Sequence, residues 1–288
     1  MLKNRLIACL PLYNNFVVQS IGFEKMLPVG GPKLIIEYLC QWGYDEIMLL
    51  DITASKIMHK PNLELIKKIS NAASVPLGYG GGIRNLKDAK YLVANGVDKV
   101  LINSSMQDKP SLVSEIANAL GSQCVIASLD FKRIDGKYFM FRHTTKEILP
   151  VNIERLVAHY QNLGVGEFLV TSVDRYGMKN GYDAELLVEF SNYSSVPVIA
   201  LGGGYKANHF DNLLLNTSIK AFAVENSLLF KEHSGAIIKS MLVNPNSFRT
   251  DTLNEYLNYS FDSDGRIKKR NEHYLESLFY QKSEERVL

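Results

Sequence analysis

Cysteine, tryptophan and any surplus of one charge are scarce in this chain of 288 residues, and each shortage narrows its class. The three cysteines, Cys9, Cys40 and Cys124, are an odd number without metal-ligand spacing. That argues against a disulfide scaffold or a zinc module and fits reduced thiols in the cytoplasm. Lys and Arg total 32 against 30 Asp and Glu, a net charge of +2 spread along the chain. No basic arm or stripe points to nucleic acid or to an anionic membrane surface. No apolar run approaches the roughly 20 residues of a membrane span. The six histidines share no metal spacing, so each reads as a surface or helix residue; no metal and no cofactor is expected. Leu6–Leu12 follows Lys3 and Arg5 but ends at Tyr13-Asn14-Asn15 without a cleavage site, and so reads as a first strand.

What is present is alternation. Apolar, β-branched runs recur at Arg5–Leu10, Glu46–Asp51, Val75–Tyr79, Lys99–Asn103, Cys124–Asp130, Glu167–Val173, Val196–Leu201 and Lys220–Val224. Segments of helical period separate them, among them Gly31–Gly43, Asn62–Ala73, Leu86–Asn95 and Ser111–Leu120. Buried strands alternating with helices over about 240 residues predict a closed (β/α)8 TIM barrel. The chain also repeats itself. Ile7-Ala8-Cys9-Leu10-Pro11 aligns with Ile126-Ala127-Ser128-Leu129-Asp130, Ser74-Val75-Pro76 with Ser195-Val196-Pro197, and Gly80-Gly81-Gly82 with Gly202-Gly203-Gly204. Glu46 matches Glu167, Lys99 matches Lys220, and Asn103-Ser104 matches Asn226-Ser227, all at offsets of 119 to 123. Two half-barrels follow, about 1–121 and 122–243, with an extension over 244–288 that is partly helical around His273–Tyr280.

In such barrels chemistry sits where strands end and βα loops begin. Two glycine loops, each followed on the next strand by amide and hydroxyl side chains, predict an anion site in each half. Gly81, Gly82, Asn103 and Ser104 form the first; Gly203, Gly204, Asn226 and Ser227, with Gly177, form the second. A ligand with a phosphate at each end fits that pair, although tight βα turns need glycine too. Glu225 intrudes on the second site, where a carboxylate repels phosphate unless a cation intervenes. At the opposite strand ends stand Arg5, Glu46, Lys99 and Glu167, either a solvated rim or a ring of ion pairs.

With these residues assembled, the chain resembles the cyclase subunit family of imidazole glycerol phosphate synthase from Leu2 to about Leu242. The resemblance rests on Arg5–Leu10, Leu50–Ser55, Gly80–Ile83, Asp98-Lys99-Val100, Asp130, Lys132-Arg133, Asp135-Gly136, Leu169–Ser172 and Lys179–Asp183. It implies a glutaminase subunit as heterodimer partner, docked near Asp98. It also implies an ammonia gate of Arg5, Glu46, Lys99 and Glu167, a phosphorylated ligand, and two catalytic aspartates. Asp130 is one of those; Pro11, without an ionisable group, holds the place of the other. Losing such a group costs about 10²–10⁴ in rate. Gln19, Tyr176, Met178, Leu201 and Glu225 are further departures, all at the mouth. A floor retained beneath a rebuilt mouth points to a divergent paralogue. It would pass ammonia onward, to a sugar amidotransferase acting on a surface-polysaccharide sugar. The alternative is an authentic histidine-biosynthesis cyclase.

Overall fold

The computed structural model describes residues 3–21, 25–56, 59–226, 231–249, 256–262 and 265–268, with 271, 273 and 277. The first half runs β1 (Arg5–Tyr13), β2 (Phe16–Ile21), β3 (Lys25–Gly30), α1 (Pro32–Gln41), β4 (Glu46–Asp51), α2 (Ile52–Lys56) and α3 (Leu63–Ser70). It continues through β5 (Leu77–Gly80), α4 (Leu86–Ala94), β6 (Lys99–Ile102), α5 (Ser104–Asp108) and α6 (Ser111–Leu120). The second half runs β7 (Val125–Ile134), β8 (Lys137–Arg142), β9 (Glu147–Pro150), α7 (Ile153–Asn162), β10 (Glu167–Ser172) and α8 (Ala184–Tyr193). It closes with β11 (Val198–Leu201), α9 (Ala207–Asn216), β12 (Ala221–Val224) and α10 (Ser234–Ser240).

Strands β1, β4, β5, β6, β7, β10, β11 and β12 are parallel neighbours in that order, and β12 returns to β1, so the sheet is a closed barrel. Each expected strand is found. The first and fifth run longer than their apolar runs, because each continues past the barrel mouth into an antiparallel hairpin. Asn14 and Asn15 (φ 50° and 65°) make the first turn, Asp135 and Gly136 (φ 48° and 77°) the second. Two successive left-handed residues give the two-residue turn whose twist matches the strands. The halves therefore repeat down to their hairpins.

Side chains alternate between two apolar layers. Leu6, Ala8, Ile47, Leu49, Val100, Ala127, Phe168, Val170 and Phe222 face the helices. Ile7, Cys9, Met48, Leu101, Ile126, Leu169, Ile199, Leu201, Ala221 and Ala223 fill the bore. Four helices start at polar caps: Asn62, Asn85, Asn152 and Asp183 each accept the N–H of the third residue on.

The extension begins on the floor of the barrel. A short 3-10 turn at Pro245–Ser247 brings Phe248 beside Asn4, whose N–H donates to the Ser247 carbonyl at 2.9 Å. Phe248 is fully buried against Phe222. Next to it Lys239 and Asp45, both almost inaccessible, pair at 2.8 Å, and Asp45 also accepts the Leu6 N–H. Of the helix expected over 273–280, only residues 273 and 277 are among those described.

Candidate functional site at the two ends of the barrel

The floor carries a closed ionic ring. Arg5, Glu46, Lys99 and Glu167 begin β1, β4, β6 and β10 and point inward below the apolar bore. Arg5 contacts Glu46 at 2.6 Å and Glu167 at 2.9 Å; Lys99 contacts the same two carboxylates at 3.0 and 2.8 Å. Side-chain exposures of 8–25% place the ring between water and core, so its charges are screened less than surface pairs. Burial would raise Glu167, but Arg5 and Lys99 outweigh it and hold its pKa below the usual carboxylate range. Arg5 is held correspondingly high by its two carboxylates against burial. Of the two sequence readings, ring and solvated rim, the geometry is that of a ring. Asp98 lies exposed beside it, accepting the Leu77 N–H at 2.8 Å.

Where β1 and β7 reach the mouth, Pro11 and Asp130 occupy equivalent inward positions, Pro11 level with Leu50 of β4 and Asp130 with Thr171 of β10. Asp130 is buried. Asn103 donates to it at 2.6 Å, and the His143 ring nitrogen Nε2 lies 3.0 Å away. Burial favours the neutral acid, yet His143, Asn103 and Thr171 together keep the carboxyl below its ordinary pKa. It is held as an ionised carboxylate.

His143, read from the sequence as a surface or helix residue, is partly exposed in a turn and makes a contact to Asp130 that the sequence did not reveal. It follows β8, stacked edge-on against Phe141 at 4.8 Å, and the β7–β8 hairpin folds it back over Asp130. Arg142 fixes that hairpin by pairing with Asp108 at the end of α5. The Asp135-Gly136 turn was the signal that could have located His143.

The two glycine loops lie on opposite sides of the mouth, after β5 and β11. In each, glycine is required by a neighbouring backbone. A Cβ on Gly81 (φ +120°) would stand 2.4 Å from the Asp51 carbonyl, and one on Gly203 (φ +84°) 2.2 Å from the Gly181 carbonyl. Gly82 and Gly204 follow them. Asp51 caps its own loop through the Ala54 N–H and accepts the Tyr79 hydroxyl. Ser104 opens α5 beside Asn103, whose amide oxygen is held by Gln107. In the second half, the Asn226 amide donates to the Ser20 carbonyl at 2.7 Å and to Gly177 at 3.4 Å. Ser227 lies outside the described residues.

The largest departure from the sequence reading is the pairing of Tyr176 with Glu225. Tyr176, from the loop after β10, is buried in the bore layer with Ile7, Cys9 and Leu201, roofing the bore. Glu225 continues the inward series Ala221, Ala223 and is 6% exposed. Neither carboxyl oxygen has a hydrogen-bond partner in good geometry among the described residues. Burial pushes its pKa up to about 8, against the lowering pull of the Tyr176 hydroxyl and the Gly177 N–H. Cys9 beneath is pushed up by burial and by the facing carboxyls of Glu225 and Asp130. Sequence parity put Glu225 inside; nothing in a loop residue's identity announced Tyr176.

Among the described residues no helix is long and apolar enough to cross a membrane, and no His, Cys, Asp and Glu cluster suits a metal.

The family description "Histidine biosynthesis protein" matches residues 5–234. A Vibrio vulnificus protein named provisionally as imidazole glycerol phosphate synthase subunit hisF2 is 35% identical over 92% of this chain and 98% of its own. The imidazole glycerol phosphate synthase subunit HisF of a Thermotoga species is 38% identical over 73% of this chain and 83% of its own. That of Staphylococcus carnosus is 34% identical over 84% and 96%. A closed (β/α)8 barrel with these floor and mouth residues, matched over most of its length by such relatives, belongs to the histidine biosynthesis protein family, among the HisF-type barrel subunits of imidazole glycerol phosphate synthase.

Proposed function

We propose that this chain is the barrel subunit of a cytoplasmic glutamine amidotransferase complex. It docks a glutaminase subunit on its floor and receives ammonia there. It passes the ammonia to the mouth for amidation of a surface-polysaccharide sugar by a separate sugar amidotransferase. The observation that carries this is the contrast between the two ends: a complete Arg5–Glu46–Lys99–Glu167 ring below, and Pro11 opposite Asp130 above. Uncharged ammonia can cross an apolar bore, whereas an ion would forfeit its hydration. Ion pairs that close the entrance act as its gate, opening when one cation swings aside. Gly81, Gly82, Asn103 and Ser104 hold a phosphate of the ligand at the mouth. Gly203, Gly204, Gly177, Asn226 and Ser227 offer a second, weaker place, limited by Glu225.

Two measurements test this. The gene is expected not to restore growth to a histidine auxotroph lacking its cyclase subunit, because one of two proton-transfer groups is missing. In vitro, the purified chain should stimulate glutamine hydrolysis by its cognate glutaminase, and Asp98→Ala should cut that stimulation about tenfold through lost docking. Absence of any stimulation by the native chain removes the delivery reading. A second reading, an authentic histidine-pathway cyclase with Asp130 as its remaining aspartate, draws support from His143 and Glu225 at the mouth. Robust growth of the auxotroph selects it.

A further inference from the structure

Among the described residues, Glu225 stands apart from the other buried carboxylates of the barrel. Asp45 has Lys239, Asp51 has Tyr79 and a backbone N–H, Asp130 has Asn103 and His143, and Asp183 has Tyr138 and Ser172. Glu46 and Glu167 have the ring. Glu225 alone among them has no hydrogen bond of good geometry to either oxygen, although the Tyr176 hydroxyl and the Gly177 N–H lie near it. Two further orphans lie on the same side of the mouth: the Asn226 amide oxygen next in sequence, and the Ser20 hydroxyl. Asn226 is tied to Ser20 and Gly177 through its nitrogen, so its oxygen is the atom left over.

All four orphan atoms can accept, and only the Ser20 hydroxyl and the single proton of the neutral Glu225 carboxyl can donate. A buried cluster of that kind repels phosphate and calls for a small group rich in N–H donors. Such a group also has to be compact, since Tyr176, Cys9 and Ala223 belong to the buried apolar cluster at this end of the bore.

We propose that Glu225, with Asn226 and Ser20, forms a holding site for ammonia and ammonium at the top of the bore. This deepens the delivery reading and rests on it for the source of the ligand. Ammonia leaving the apolar bore accepts the Glu225 carboxyl proton. The ammonium so formed is held by the resulting carboxylate, and its remaining N–H bonds reach the neighbouring oxygens. Return of the proton to Glu225 regenerates neutral ammonia with its lone pair, the form that attacks an acceptor. No proton or electron is gained or lost over the cycle. The positive charge also offsets the carboxylate that otherwise disfavours an anion at Gly203 and Gly204. The charged and titratable groups facing Glu225 are Cys9 on β1, Asp130 across the mouth and Tyr176 above.

The test uses the whole chain without a glutaminase. The protein is labelled with carboxyl-13C glutamate, and ammonium chloride replaces sodium chloride at constant ionic strength. One buried carboxyl resonance should shift saturably with ammonium and be absent from Glu225→Gln. An unchanged backbone amide spectrum would show that this near-isosteric variant is folded. Potassium should produce no comparable shift, because it brings no N–H donors. A resonance that ignores ammonium overturns the site, and one that responds equally to potassium makes it a general cation site and overturns the proposal. Either failure leaves glutaminase stimulation, the test of delivery itself, to stand or fall separately.

Discussion

Replacing Glu225 by Gln should flatten the dependence of the protein's stability on pH. In the folded chain burial pushes this carboxyl up to about 8, while an exposed glutamate titrates near 4.5. Between those values the folded state keeps a proton that the unfolded state has released. Folding therefore binds protons, and the stability contributed by neutral Glu225 is complete below 4.5 and is lost as pH rises to about 8. The separation between the two values corresponds to about 4–5 kcal/mol. Gln keeps the shape and has no proton to lose. Urea unfolding of both proteins across this range should show the native-minus-variant difference falling by about that amount. A difference that stays level within about 1 kcal/mol shows that the carboxyl is not buried as described.

The second large effect concerns stability alone. Lys239 on α10 and Asp45 before β4 form an ion pair with side-chain exposures of 1% and 4%. Burial raises the Asp45 pKa despite the attraction of Lys239 and the Leu6 N–H, which shows how heavily its charge depends on that partner. Lys239→Met leaves the buried Asp45 carboxylate with only the weaker attraction of Arg249, at a cost of about 3–5 kcal/mol. For a barrel of this size each kcal/mol moves the Tm by about 2–4 °C, so the melting point should fall by roughly 6–20 °C. The double variant Lys239→Met with Asp45→Asn should recover a substantial part of the loss, since no charge then remains buried. If the single variant melts like the native chain, the pair is structurally idle.

How much of this was legible beforehand follows from where each residue sits. Strand interiors were readable because a parallel barrel strand is buried on both faces and shows as an uninterrupted apolar run. The duplication fixed the order of the halves and aligned Pro11 with Asp130. The floor ring was readable as a set of charges at strand starts, though only the fold brings Arg5 within reach of Glu167, 162 residues away. The hairpins were missed. Their polar turns were seen, but the flanking segments Phe16–Ile21 and Lys137–Arg142 were not taken as strands. The contact of His143 with Asp130 was missed for the same reason, since it depends on a hairpin that reverses the chain. Tyr176 was beyond sequence reasoning, because no periodicity dictates where a loop side chain turns.

The clasp between Asn4 and Phe248 has a practical reach. It fastens the start of β1 to the extension on the same face as the ionic ring, with the Lys3 side chain bonded to the Asn246 carbonyl. Lys3 therefore lies on the face that carries Arg5. An affinity tag in that position would crowd the surface on which subunit association is to be measured, and should be cleaved off before any such assay. Trimming the chain back to Leu242 would do harm of another kind: it would unseat Phe248 from Phe222 and open the barrel's underside to water.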